Sequence, residues 1–129
     1  MKKVLLFTLL IMFGLSYSMA QNQANIKFDK VVHNFGTFSE SNPVQKVTFT
    51  FTNIGKAPLI INQVVASCGC TVPRYDKRPI APGQKGSIDI TYNGTGKFPG
   101  HFKKSITVRT NAATEMTRLY IEGVMEAKK

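Results

Sequence analysis

Residues 44–53 read VQKVTFTFTN. Val47, Phe49 and Phe51 fall on one side of an extended chain, and Thr48, Thr50 and Thr52 on the other. Strict period-two alternation is the pattern of a strand with one face buried and one face wet. A strand of this kind needs neighbours, so the question is whether the flanking sequence supplies more of them.

It does. NIKFDKVVHNFG, upstream, opens with alternating apolar residues. NIGKAP (53–58) reads as a hairpin-type connection, and LIINQVVA after it as a continuously apolar, deeply buried strand. TVPRYDKRPIAPGQKG holds three prolines and is confined to loop and sheet edge. Pro82-Gly83 suits the centre of a type II turn, where glycine supplies the positive φ. SIDITYN alternates Ile88, Ile90 and Tyr92, and NGTGKFPG reads as a glycine-rich hairpin loop. HFKKSITVRTN places Phe102, Lys104, Ile106 and Val108 in one phase, and TRLYIEGVM places Leu119, Ile121 and Gly123 in phase. Short strands with turn signals about every ten residues predict an all-β sandwich of about seven strands. The expected core is Phe49, Phe51, Leu59, Ile61, Val64, Ile88, Ile90, Ile106, Val108, Leu119 and Ile121. The chain has no tryptophan and only two cysteines, two residues apart, so the antibody-type inter-sheet disulfide is excluded and the sandwich is expected to cohere by apolar packing alone.

The N-terminus sets the compartment. Two lysines precede an apolar run from Val4 to Leu15, with small residues at Ser18 and Ala20. This is the layout of a secretory signal peptide, and the run is shorter than the ~20 residues of a bilayer span. Residues 1–20 are read as a cleaved signal peptide and 21–129 as one sandwich domain, with no transmembrane segment after cleavage. The protein is therefore expected to be exported, to the periplasm or beyond. Removing Lys2 and Lys3 leaves about +8 of the formal net charge of +10. In an exported protein such a balance keeps the chain soluble or suits an anionic envelope component such as lipid head groups, glycans or acidic proteins. No run of lysine and arginine interleaved with aromatics is present, so nucleic acid is not an expected partner.

Enzyme templates find little. The seven acids are scattered, there is no G-x-S-x-G, and GTGKFPG lacks the G-K-[ST] ending of a phosphate loop. No catalytic residues are assigned and no enzyme activity is expected. What remains is SCGCT at 67–71. A Cys68–Cys70 disulfide closes a tiny loop, worth only ~1.6 kcal/mol in the chain-entropy model. In a fully extended strand the two Cα atoms would lie ~6.6 Å apart, near the limit of disulfide geometry, unless Gly69 permits a kink. Two thiolates on one strand face could instead hold Cu(I) or zinc, with His33 or His101 as a candidate third ligand beside Cys68 and Cys70. Arg74, Lys77 and Arg78 follow closely in sequence, and nearby cations favour reactive thiolate. An inert bulge carrying two small, partly buried sulfurs is the fourth reading. The four stay open at this level.

The pieces FDKVVHNFGTF, FTFTNIGKAPLIINQVVASCGCTVP, PIAPGQKGSIDITYN and GHFKKSITVRTNA, in that order, carry a family resemblance over residues 26–124. The chain resembles the exported bacterial family catalogued as domain of unknown function 1573, common in Bacteroidetes. The resemblance implies an immunoglobulin-like sandwich related to Hydin-type and major-sperm-type domains, which serve as binding or scaffold modules. Where some members carry a tryptophan and more acid after C-G-C-T, this chain has Arg74, Tyr75 and Arg78. The expected function is a non-enzymatic, exported binding or scaffold module with an unknown protein or anionic partner. It would act through Cys68, Gly69, Cys70, Thr71, Arg74, Tyr75 and Arg78, or through an edge strand. The alternative is a periplasmic thiol-redox or soft-metal protein built on Cys68 and Cys70.

Overall fold

The computed structural model describes residues 22–128, and the leader read over 1–20 lies outside them. Eight strands follow in order: β1 (Ile26–Phe28), β2 (Val32–Ser39), β3 (Val44–Asn53), β4 (Ile61–Ala66), β5 (Thr71–Tyr75), β6 (Lys85–Asn93), β7 (Gly100–Thr110) and β8 (Met116–Glu126). They form two four-stranded sheets, ordered β1-β3-β6-β5 and β2-β8-β7-β4. There is no helix among the described residues. All pairings are antiparallel except β2 with β8.

The count is eight against an expected seven or so, and the stretch NIKFDKVVHNFG contributes to both sheets, through β1 and β2. Phe28 on β1 packs against Phe51 at 5.4 Å between ring centroids, while Phe35 and Phe38 reach the core from β2 in the other sheet. The chain has to turn at Asp29–Val31 to serve both sheets. The backbone bonds Asp29 N–H to Thr50 carbonyl (3.0 Å) and Tyr120 N–H to Val31 carbonyl (2.8 Å) mark the change of sheet.

The alternation of β3 holds: Phe49 and Phe51 are buried, Val47 is half-buried, and Thr48 is exposed with its hydroxyl donating to Asp89 at 2.8 Å. Ten of the eleven expected core residues are buried, and Val64 is half-buried against them. Each large apolar side chain so placed contributes roughly 1.5–3 kcal/mol. Three local expectations are corrected. NIGKAP and the 94–99 loop are not hairpins: each carries the chain from one sheet to the other. β4 is not deeply buried, because it is the last strand of its sheet. Leu59 and Ile61 are covered, but Asn62, Gln63 and Val65 are exposed. The turn at Pro82-Gly83 is as expected, with Gly83 at φ 81° and Gln84 N–H bonded to Ala81 carbonyl at 3.0 Å.

Apolar packing is not the whole account. Asn53, the last residue of β3, is fully buried in the core phase. Its Nδ2 donates to the carbonyls of Ala57 (2.8 Å) and Ile80 (2.9 Å). Its Oδ1 accepts from the N–H groups of Gly55 (3.0 Å) and Asn25 (3.4 Å). Its backbone N–H and carbonyl bond Gln84 (3.0 Å) and Gly83 (2.8 Å). Segment 23–25 runs so close to Gly55 that a Cβ there would collide with the Gln23 carbonyl, so this position requires glycine.

We expect Asn53→Leu to lose about 3 kcal/mol of unfolding free energy, because it leaves several buried backbone groups unpaired. Thr48→Ala, at the exposed hydrogen bond, is expected to change stability by less than about 0.5 kcal/mol. Urea denaturation of both variants checks the contrast.

Candidate functional site

Residues 67–70 carry the chain from β4 in one sheet to β5 in the other. Both ends of this corner are anchored. Ser67 N–H donates to Ser105 carbonyl (2.9 Å) and Ser67 Oγ accepts from Ser105 N–H (3.2 Å), which extends the β4–β7 ladder. At the far end Cys70 carbonyl accepts from Asn93 N–H (2.8 Å), which extends β5–β6. Between them Thr71 N–H bonds Cys68 carbonyl at 3.2 Å and closes a four-residue turn.

The turn corrects the extended geometry on which the sequence argument rested. Cys68 and Cys70 are joined as a disulfide with their Cα atoms 5.3 Å apart. The separation is comfortable because a chain that changes sheets must bend, and the bend shortens the i to i+2 distance. Gly69 is not in the left-handed region, and a Cβ on it would meet nothing within 4 Å. Cys70 N–H also points at Cys68 Sγ, 3.1 Å away. Both cysteines are half-buried, and Cys70 packs against the core.

The other candidate residues are strung along β5 and split between its faces. Thr71 is buried, and Tyr75 is half-buried against the core. Arg74 is exposed on the outer face, opposite Asp89 in register. A cleft of about 480 Å³ opens where β5 ends, lined by Arg74, Tyr75, Asp76, Ile80 and Lys85 among others. Arg78 lies beyond that end, where its guanidinium holds Asp76 at 2.6 Å. Hydrogen bonds from the Arg78 side chain and then its backbone keep the Asp76 carboxyl down at about 2. The cations that follow the cysteines in sequence are thus carried away in space: Arg74 is ~13 Å along an extended strand from Cys70.

His33 does not join the sulfurs either. It lies on β2, at the opposite edge of the sheet from β4, about three strand spacings or ~14 Å away. Its Nδ1 is 2.8 Å from Lys30 Nζ, and its ring packs edge-on to Phe35 at 4.8 Å. Among the described residues no three His, Cys, Asp or Glu side chains gather as a metal set. Cys68 and Cys70 alone do not complete a zinc site, which takes four ligands.

One charged residue on the neighbouring strand went unread. The β4–β7 register pairs Ala66 with Ile106, and the Ser67–Ser105 bonds follow it, so Lys104 stands next to the residue that anchors the corner. Lys104 is half-buried and sits in the core phase of β7, between Phe102 and Ile106. A lysine in an apolar phase was the available signal.

The family model described as "Protein of unknown function (DUF1573)" matches residues 26–125, and the chain belongs to that family. No curated protein matches it. Among solved structures it is similar to a protein of unknown function from Porphyromonas gingivalis W83, at 15% identity and TM-score 0.69, covering 83% of this chain and 50% of that one. The chain thus spans half the length of that protein. It is also similar to an ASH/PapD-like domain of human CEP192, at 8% identity and TM-score 0.66, covering 88% and 93%. A Caenorhabditis elegans member of the MSP family aligns at 14% identity and TM-score 0.50, covering 78% and 97%. At these identities the likeness is one of fold, an immunoglobulin-like sandwich.

Two outcomes follow from the geometry. Because hydrogen bonds already hold both ends of the corner, Cys68→Ser with Cys70→Ser should cost at most about 1.6 kcal/mol in urea denaturation. Burial, and then the Lys30 charge, lower the His33 pKa from the ordinary 6.5. A lowered base favours the neutral ring in the fold, so this contribution to stability is present above the ordinary value and lost as pH falls through the lowered one. An NMR titration should place the His33 midpoint below 6.5, and Lys30→Met should move it back up.

Proposed function

From membership of that family and from the geometry of the corner, we propose that the protein is an exported, non-enzymatic binding module that takes an extended polypeptide along its β4 edge, beside the Cys68–Cys70 turn. The observation that carries this reading is that β4 and β5 are the terminal strands of their sheets and are joined by that turn, so both open edges lie on one side of the sandwich. An edge strand presents backbone donors and acceptors that an added strand can pair.

The choice between the two edges rests on alternation. Cys70 bonds β6, so Val72 and Arg74 face β6 too, and Thr71, Pro73 and Tyr75 turn their backbone outward. Pro73 has no N–H, which breaks the outer row of β5. On β4, Ser67 bonds β7, so Val64 and Ala66 turn outward, and both have a donor and an acceptor. Val65 on the same strand is 45% exposed and gives the partner an apolar contact on the outer face.

A second reading is favoured by Lys104. If the disulfide is reduced in the envelope, the Lys104 ammonium, one residue from the Ser105 anchor of the corner, would favour the Cys68 thiolate on reaching it, which suits thiol exchange better than metal binding. Mild reductant followed by alkylation and intact mass separates the two. Free thiols that alkylate faster in the wild type than in Lys104→Met would support exchange, and a bond that resists reductant would end it.

The binding reading is tested by a photocrosslinking residue introduced at Val65, with Lys27 on β1 at the far edge as control. Adducts in the exporting cell are expected from position 65 and not from 27. Equal labelling at both, or none at either, would refute the β4 edge.

A further inference from the structure

Seven phenylalanines lie among the described residues, and six of them are buried or packed against the core. The seventh, Phe98, is 96% exposed, while the other exposed large apolar residues lie between 37% and 54%. It sits in the loop between β6 and β7, GTGKFPG, with Lys97 before it and Pro99 after it. The loop cannot tuck the ring inward. The core between its two stems is filled by Tyr92 and Phe102, stacked at 4.1 Å and 8° between planes, with Phe38 edge-on to both.

We infer that this loop docks the protein on an anionic lipid bilayer, with Phe98 entering the interface and lysines facing the head groups. A lone apolar ring on a narrow tip is poorly suited to a protein partner, because a stable protein interface takes roughly 800 Å² from each side. A fluid bilayer needs no matching shape: an aromatic at the acyl boundary and cations at head-group level, each cation worth about 1 kcal/mol, combine into a weak, reversible attachment. The charge agrees. With Lys2 and Lys3 removed, fifteen basic residues stand against seven acids in the processed chain. Lys97 is in the tip, and Lys128 lines the same shallow cleft of about 380 Å³. Glu40 is the acid in that cleft, and its Oε1 accepts the Lys128 backbone N–H at 2.7 Å.

The chain has no tryptophan, so Phe98→Trp introduces a single fluorophore that reports on the tip alone. The protein is purified as its host exports and processes it. Vesicles of phosphatidylcholine with phosphatidylglycerol are expected to shift the emission to the blue, and phosphatidylcholine vesicles to leave it unchanged. Phe98→Ala should weaken co-sedimentation with the anionic vesicles about tenfold, and Lys97→Glu should weaken it as well. The site is solvent-exposed, so the thermal midpoint of each variant should match the wild type and exclude misfolding. An emission maximum that ignores anionic vesicles would overturn the inference. So would an equal response to neutral ones, or wild-type binding by Phe98→Ala, and a blue shift only with a protein fraction of the envelope would assign the tip to a protein partner instead.

Discussion

The buried amide of Asn53 is the constraint on which one end of the sandwich depends. The two sheets stack because Phe49, Phe51, Ile88, Ile90, Ile106 and Leu119 leave water, and that force has no direction. It would tolerate many placements of the loops. Asn53 continues the inward phase of Val47, Phe49 and Phe51, but it ends that phase with two donors and an acceptor. These fix segments 25, 55–57 and 80 relative to one another. A leucine would fill the volume and leave those carbonyls and N–H groups without partners in a place water does not reach.

The same amide reaches the open side of the molecule. Ile80 carbonyl accepts from Asn53 Nδ2 and from Leu59 N–H, and Leu59 carbonyl accepts from Ile80 N–H, all at 2.8–2.9 Å. This short bridge joins the segment before β4 to the segment after β5. At the other end the corner at 67–70 joins the same two strands through Ser67–Ser105 and Cys70–Asn93. The β4–β5 side is therefore fixed at both ends by hydrogen bonds and unpaired between them. The Cys68–Cys70 bridge adds to an arrangement that hydrogen bonds already hold at both ends.

What could be read from the sequence was whatever is periodic and local. β3, β6, β7 and β8 announce themselves by alternation, and the core residues follow from phase. Pro73 marks an edge because a proline in a central strand would forfeit a ladder bond. Whether a turn closes a hairpin or crosses between sheets is decided by which faces must be covered, and five of the seven connections here cross. Their residues, NIGKAP or NGTGKFPG, look the same either way. Proximity in sequence misled for the site. Arg74 and Arg78 follow the cysteines closely, yet an extended strand moves them away, whereas a partner strand brings Lys104 beside Ser105, the anchor of the corner. The clue to Lys104 was a charge in an apolar phase, the same kind of irregularity that Asn53 presents in β3.

The two proposed contacts occupy different parts of the surface and do not compete. A strand added to β4 lies along the side of the sandwich, next to Val64 and Ala66. The 94–99 loop projects from the end where β6 stops and β7 begins. β7 links them: its first residues carry the loop, and its middle, at Ser105, anchors the corner beside which β4 ends. β7 is also held along its length by β8, so loop and edge share one rigid strand. A sandwich held to a bilayer by its tip would therefore present the β4 edge along its flank, at a distance from the membrane set by the length of β7 rather than by a flexible linker.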